Sequence, residues 1–320
     1  MIWSVEPEAA GERLDRHAAG RLDVPRNQVQ RWIAEGLVRV NGREAKPSTP
    51  LAAGDRIECT PPELKEERVL PEPGDLRVLH EDAEIVVLDK PAGLIVHPGA
   101  GRSTGTLAHH LLDRYPEMAG VGGAGRPGIV HRLDQGTSGV LVAARTPAAY
   151  ARLSRAFASR EVSKLYLGIA YGAPSPPAGT IEAPVGRHPQ RRQEMAVIFR
   201  GQARGRPAIT HYRTVAAAAG ISLLEMDLAT GRTHQIRVHL KHLGHPLVGD
   251  PVYGEARWKG LPRPVQAPLR DFPRPALHAW RIAFRHPATE ETLRFEAPVP
   301  EDFRGLWEGV AGTALPNPHP

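Results

Sequence analysis

Between Gly128 and Val142 the chain reads Gly-Ile-Val-His-Arg-Leu-Asp-Gln-Gly-Thr-Ser-Gly-Val-Leu-Val, one carboxylate set between two apolar, strand-like runs. Gly136 and Gly139 let the backbone bend tightly after Asp134 without a Cβ penalty, so the segment predicts a turn that presents a charged side chain from a rigid base. Arg132 stands two positions before it. An aspartate in a hairpin turn commonly does no more than accept the turn's own amides. Asp134 therefore has to be judged together with the rest of the chain.

At 320 residues there is room for one or two domains and a sizeable core. Mean hydropathy is −0.34, and no apolar run approaches the roughly 18 residues of a membrane span, so no membrane association is expected. The opening Met1-Ile2-Trp3-Ser4-Val5-Glu6 lacks the basic-then-apolar order of a secretory signal, which predicts a cytoplasmic protein. Cys59, the single cysteine, has no partner for an internal disulfide and reads as a small core residue. A net charge of +6 and a pI of about 9.7 permit nucleic-acid binding without establishing it. Distribution says more: Arg187, Arg191, Arg192, Arg200, Arg204, Arg206 and Arg213 are opposed within their stretch only by Glu194. With Gly186, Gly201 and Gly205 among them, they predict an exposed loop or ribbon able to track phosphates.

Three regions separate along the chain. Residues 11–59 read as a small αβ module, in which Val29, Trp32, Ile33 and Leu37 keep helical spacing, Gly36 stops the helix, and Leu37 to Val40 is a strand. Asn41-Gly42 is a hairpin signal, and Ala53-Gly54-Asp55 turns into a strand from Arg56 to Cys59. Arg26, Arg31, Arg39, Arg43 and Lys46 face only Glu35 and Glu44, giving a nearly neutral module one basic face. Residues 60–75, rich in Pro and Glu, read as an acidic linker that leaves the module some freedom, and residues 305–320 as a frayed tail.

Residues 76–304 form the larger domain. Glu84 to Asp89 is a strand, Lys90 to Gly93 a turn and Leu94 to Gly99 another extended piece. Thr146 caps and Pro147 opens a helix with Ala149, Leu153, Ala156 and Phe157 on one face, and Lys164 to Gly172 follows as a strand. Further strands fall at Ile221 to Asp227, Ala279 to Phe284 and Leu293 to Ala297. Strands and helices mix without regular βαβ alternation, which favours α+β with a largely antiparallel sheet.

The second constellation is Gly231-Arg-Thr-His-Gln-Ile-Arg-Val-His-Leu-Lys-His-Leu-Gly244. Ile236, Leu240 and Leu243 fall on one helical face and predict inward packing, with His234, Arg237 and Lys241 together on another and Gly244 ending the helix. His234, His239, His242 and His245 invite a metal reading. Their spacing argues against it, since His234 and His239 are five apart rather than four and no Glu completes a hydrolase-type motif.

The Gly128 to Val142 stretch resembles the HRLD motif of the RluA-type pseudouridine synthases, enzymes that isomerise uridine in RNA. Gly231 to His239 matches that family's GRTHQIRVH motif word for word, and Gly244 to Gly254 continues the match. Arg13-Leu14-Asp15 and Val40-Asn41-Gly42 resemble an S4-like RNA-binding module. The likeness runs through nearly the whole chain. It implies the pseudouridine synthase fold, α+β with a mixed, largely antiparallel sheet and a central cleft, in a monomer that needs neither metal nor cofactor. The joined module, with Gly186-Arg187-His188-Pro189 and Thr210-His211-Tyr212-Arg213, looks most like the members acting on a hairpin of large-subunit (23S) ribosomal RNA; transfer RNA is the alternative substrate.

The family's reaction breaks the N1 to C1′ bond of uridine, turns the base, and joins C5 to C1′. Asp134 corresponds to the essential carboxylate, which either attacks C1′ or removes the C2′ proton. It must be ionised, and a partly buried Asp needs a cation close by; Arg237 is the first candidate and Arg232 the second. Tyr166 corresponds to the active-site tyrosine, which stacks on the base and is placed to take the C5 proton. Arg132 matches the residue that fills the stack left by the extruded uridine, where a planar guanidinium both stacks and hydrogen-bonds. His131, Arg232, Arg187 and Arg192 are the further substrate-binding expectations. The chain departs from the pattern at Gln135 and Gly136, where many members carry Lys and Asp, a change expected to alter the loop's charge rather than its chemistry.

Two other classes compete. A silent S4-like RNA-binding protein would share the basic features but has no need of Asp134, Tyr166 and Arg237 together. A glycoside or nucleoside hydrolase works with two acids about a sugar, and no second acid has a setting like that of Asp134.

Overall fold

The chain divides into two units, Met1–Glu66 and Glu67–Pro320. The computed structural model describes residues 1–61, 69–99, 102–123, 125–191, 193–199 and 205–318. The first unit contains β1 (Ile2–Ser4), α1 (Leu14–Leu22), α2 (Arg26–Ala34), β2 (Val38–Val40), β3 (Arg43–Glu44) and β4 (Arg56–Cys59), with sheet order β1-β4-β2-β3. Val29, Trp32 and Ile33 join Leu14, Val38, Ile57 and Cys59 in a core of its own. Asn41 and Gly42, at φ +50° and +76°, form the tight turn whose twist suits a two-residue hairpin. The module starts earlier than its pattern suggests, because Ile2–Ser4 pairs with β4. Arg13-Leu14-Asp15 serves the interior: the buried Asp15 carboxylate accepts from Arg13 at 3.1 Å, Arg26 at 2.9 Å and Gln30 at 2.6 Å, tying α1 to α2. Burial opposes its charge, yet these partners hold the carboxyl well below the usual range.

The second unit runs β5 (Val78–Glu81), β6 (Ile85–Lys90), α3 (Leu107–Arg114), β7 (Ser138–Ala144), α4 (Pro147–Ala158), β8 (Ser163–Tyr171), β9 (Ala178–Glu182), β10 (Val185–Arg187), β11 (Met195–Val197), β12 (Ile209–Ala218), β13 (Ile221–Leu228), α5 (Gln235–His242), α6 (Arg263–Asp271), β14 (Leu277–Arg285), β15 (Thr292–Glu296) and α7 (Glu301–Ala311). Its nine-stranded sheet has the order β5-β6-β7-β14-β8-β13-β12-β9, with β15 also on β14. Only β7 and β14 pair in parallel, among the described residues, so the sheet is mixed and largely antiparallel. β10 and β11 form a separate two-stranded ribbon.

Period-two alternation divides each central strand between two cores. Val86, Leu88, Leu141, Tyr166 and Met226 face α3 and α5, while Ile85, Val87, Val140 and Val142 face α4, and Leu167, Ile169 and Trp280 face α6 and α7. Strands buried on both sides read as continuous apolar runs, as Glu84 to Asp89 does. Gly139, at φ +114°, is where β7 meets β14; a Cβ there would lie 2.1 Å from the Ala279 carbonyl oxygen. Only glycine permits that approach.

Four expectations change. The tail is a helix: Phe303, Leu306, Trp307 and Val310 of α7 are buried, and the Pro318 carbonyl accepts from Arg213 at 3.0 Å. These apolar residues recur at helical spacing, interrupted by Gly305 and Gly309, low-propensity residues that hide the pattern. Of the predicted linker, residues 62–68 lie outside the described residues, but the part that follows is docked: Val69 packs on the core and Glu72 accepts from the Gly105 N–H at 2.7 Å. Leu94 to Gly99, expected as an extended piece, bends at Val96 and His97. In α5, Arg237 does not share a solvent face with Lys241; Gln235 through Leu240 are all buried.

If α7 is part of the core, Trp307→Ala should cost about 3–5 kcal/mol of stability in denaturant unfolding, as large-to-small core changes do. A loss below about 0.5 kcal/mol would restore the frayed-tail reading.

Candidate active site

Asp134 sits in the loop that enters β7, and the ladder behind it is closed by an isolated bridge between Ile129 and Ala143. His131 pins the loop from beneath, accepting the Val142 N–H at 3.0 Å while its ring stacks on Phe157 at 4.6 Å. Burial pushes His131 down to about 3, so it is the neutral imidazole that accepts. The loop's other side rests on cations. The Gln135 carbonyl accepts from the Gly93 N–H at 2.8 Å and from Lys90 Nζ at 3.4 Å; Lys90 also donates to the Pro91 and Leu94 carbonyls at 2.8 and 2.9 Å. The Gly136 carbonyl accepts from Arg274 at 3.3 Å, and Arg274 forms a bidentate pair with Asp302 of α7 at 2.6 and 2.7 Å. Burial pushes the Lys90 ammonium down to about 7, against the pull of Asp134.

Arg237 reaches Asp134 from α5, its Nη1 donating to Oδ2 at 3.2 Å. The other two nitrogens of the same guanidinium grip Asp250 at 2.7 and 2.9 Å. Asp250 also accepts the Val252 and Tyr253 N–H groups at 2.9 and 3.0 Å, four hydrogen bonds in all. The Asp134 carboxylate, by contrast, accepts this one bond among the described residues, and the side chain is 17% exposed. The Tyr253 ring lies 4.9 Å below the Arg237 guanidinium; its hydroxyl accepts the Met195 N–H at 2.8 Å and meets His234 Nδ1 at 2.7 Å. Through Met195 of β11 the ribbon is joined to this network. His234, in the left-handed conformation before α5, turns Nε2 toward Asp134 at 3.9 Å, and burial lowers its pKa.

Asp134, Arg132, Tyr166, Arg232 and Arg237 line one narrow cavity of about 100 Å³, with Leu228, Ile236 and Leu277 as apolar walls. Tyr166 is buried; burial first, and then the Asp134 charge, raise its hydroxyl, so it stays a neutral phenol. Arg132 is exposed at the mouth, and Arg232 donates to the Pro207 carbonyl at 3.3 Å rather than to Asp134. Arg187 lies on the ribbon, opposite Met195, and outside this cavity; Arg192, Arg200 and Arg204 lie outside the described residues. Arg191 pairs with Glu194 at 3.1 Å and Arg213 with Glu225 at 3.0 Å, so the basic run is partly neutralised. In the first unit Arg26 is spent on Asp15, whereas Arg31, Arg39, Arg43 and Lys46 are exposed.

The histidines scatter. His239 bonds Thr210 and the Ala183 carbonyl, each at 2.9 Å, and His245 the Tyr171 carbonyl at 2.9 Å. Among the described residues no group of three or more His, Cys, Asp or Glu side chains could hold a metal ion. Sequence reasoning assigned nothing to Asp250, Tyr253 or Lys90. The available signal was that an arginine on a buried helix requires a carboxylate partner, and Asp250 stood within a quoted motif.

A family described as RNA pseudouridylate synthase matches residues 84–242, and the S4 domain matches residues 13–57. The chain is 48% identical over 302 residues to an uncharacterized RNA pseudouridine synthase of Chloroflexus aurantiacus, covering 94% of this chain and 90% of that one. It is 43% identical to ribosomal large subunit pseudouridine synthase D of Xanthomonas campestris (96% and 91% covered) and 39% identical to that of Escherichia coli (96% and 93%). Among solved structures, human RNA pseudouridylate synthase domain containing 4 superposes with a TM-score of 0.59 at 26% identity, over 75% of this chain and 95% of that one. The chain belongs to the RNA pseudouridylate synthase family, isomerases that convert uridine to pseudouridine in RNA. Its first unit is an S4 domain. No helix among the described residues is long and apolar enough to cross a membrane.

Burial pushes His97 and His278 down to about 4 and His131 to about 3, whereas in the unfolded chain each returns to about 6.5. Below about 6.5 the unfolded state therefore binds more protons, and stability falls with pH until these folded values are reached. The urea midpoint should be lower at pH 5 than at pH 7, and the drop should shrink in His131→Gln, whose amide oxygen can still accept. A midpoint flat across that window would contradict neutral burial.

Proposed function

We propose that the chain isomerises uridine within large-subunit ribosomal RNA, with Asp134 as the reacting carboxylate and the uridine extruded into the cavity it lines. The observation that carries this reading is the contrast between two carboxylates on one guanidinium. The Asp250 carboxylate accepts four donors, three on Oδ1 and one on Oδ2, whereas the Asp134 carboxylate accepts a single one and keeps the rest for a substrate. Attack at C1′ and removal of the C2′ proton draw on the same free lone pairs. Arg237 orients the carboxylate through Oδ2 without occupying both oxygens. The Tyr166 ring offers a stacking face to the freed base, and as a phenol it can take the C5 proton only by releasing its own. Extrusion costs on the order of a few kcal/mol, offset in part when Arg132 fills the gap. The names of the Xanthomonas and Escherichia relatives support ribosomal RNA as the target.

Asp134→Asn should fold as the parent does and form pseudouridine at less than about one per cent of the parent rate, a loss of about 3 kcal/mol or more of barrier lowering. Pseudouridine mapping of total RNA from cells with the intact gene, without it, and with Asp134→Asn then names the target. Sites lost only from transfer RNA would overturn the ribosomal part of the reading.

The S4 domain is the delivery device in this scheme. Replacing Arg31, Arg39 and Arg43 together by Ala should raise KM and lower the salt slope of binding by about 2 to 3, with the saturated rate within about threefold of the parent. An unchanged slope would remove the domain as an RNA anchor.

A further inference from the structure

Beside the cavity at Asp134 lies a second one, of about 460 Å³, bordered by the loop from Arg126 to Arg132, the end of α4 and the start of β8. The two share Arg132, Tyr166, Leu228, Gly231 and Arg232, so they form one continuous depression. The lining of the second includes Arg126, Arg132, Arg160, Lys164 and Arg232 and no carboxylate. Among the described residues, Arg126, Arg132 and Arg160 make no ion pair. Lys164 has Asp227 near it, so the charge free to attract an anion from outside lies with Arg126, Arg132 and Arg160.

Arg160 adds an independent sign. α4 ends in the motif where the N–H two residues past the cap returns to the helix, here Glu161 N–H to the Ala156 carbonyl at 3.0 Å. The residue between them must be left-handed, and it is Arg160, at φ +64°, where glycine would fit without strain. Arg160 thus holds its side chain at the rim of the cavity from a backbone conformation that glycine would adopt at less cost. The floor carries an aromatic surface: the Phe157 ring stacks on neutral His131, with the Lys164 ammonium 5.8 Å from the Phe157 centroid. A volume of about 460 Å³ falls in the range of small-ligand pockets.

We propose that this cavity is a second nucleotide subsite, which takes the RNA residue adjoining the target uridine, its phosphate held by Arg126, Arg160 and Lys164 and its base or ribose against Phe157. The proposal rests on the reading that the Asp134 cavity receives the uridine. It differs from general basic attraction in being local and continuous with the cavity at Asp134.

The test uses Arg160→Gly and Arg126→Ala in the full-length protein, with a large-subunit ribosomal RNA transcript as probe, titrated directly at several salt concentrations and assayed for turnover. Arg160→Gly removes the cation and relieves the strain, so its melting temperature should be unchanged or raised while its Kd rises about three- to tenfold and the salt slope drops by about one. The double variant should weaken binding further, raising KM with kcat within about threefold. Unchanged Kd and slope in both variants would overturn the subsite, as would a loss confined to kcat. An inactive parent would overturn the uridine reading instead, and the direct titration would still decide whether these cations hold RNA.

Discussion

One guanidinium organises the cavity that Asp134 lines. Arg237 is buried on α5 and shared between two carboxylates, and the division is unequal: two nitrogens to Asp250, one to Asp134. A buried ion pair is a poor source of stability, since desolvation consumes much of the attraction. Its value here is orientation. Asp250, fixed by two backbone N–H groups, holds the guanidinium plane, and that plane fixes where Asp134 Oδ2 must lie. Tyr253 extends the same control to His234 and to the ribbon through Met195.

What Arg237 does to the side chain, the sheet does to the backbone beneath it. Two successive loop carbonyls, of Gln135 and Gly136, are held by Lys90 at the end of β6 and by Arg274 ahead of β14. Arg274 is steadied in turn by Asp302, so α7 belongs to the support of the loop although it lies far from Asp134 in sequence. With Gly136 in place of the family's acid, no carboxylate at that position competes with Asp302 for Arg274.

Much of this was legible, and the reasons for the gaps are specific. Local rules carried far: the Asn41-Gly42 turn, the Thr146 cap, which accepts the Ala149 N–H at 3.1 Å, and the apolar strands all depend on neighbours in sequence. Asp134 and Arg237 were paired in advance because a half-buried carboxylate demands a cation. The failures needed knowledge of what packs where. α5 looked amphipathic from its spacing, but it is enclosed on most sides, and its arginine turns inward to a partner thirteen residues on. The α7 pattern was hidden by two glycines and a proline-rich end, and Asp15, read as part of an RNA-binding signature, is an interior pin.

The same electrostatics explain how one nucleotide can be sorted into its parts. At the centre, Arg237 is balanced by two carboxylates, and a phosphate entering there would meet Asp134 with no spare positive charge. Toward the rim the balance reverses, since Arg132 and Arg232 stand at the shared edge of both cavities and Arg126, Arg160 and Lys164 lie beyond it. A polyanion is drawn to the rim and repelled from the centre, while an uncharged base suffers no such penalty on entering. For a uridine bound as proposed, base inward and phosphate outward is then the orientation of lowest energy before any specific contact to uracil forms, and it would bring the ribose to the boundary between them.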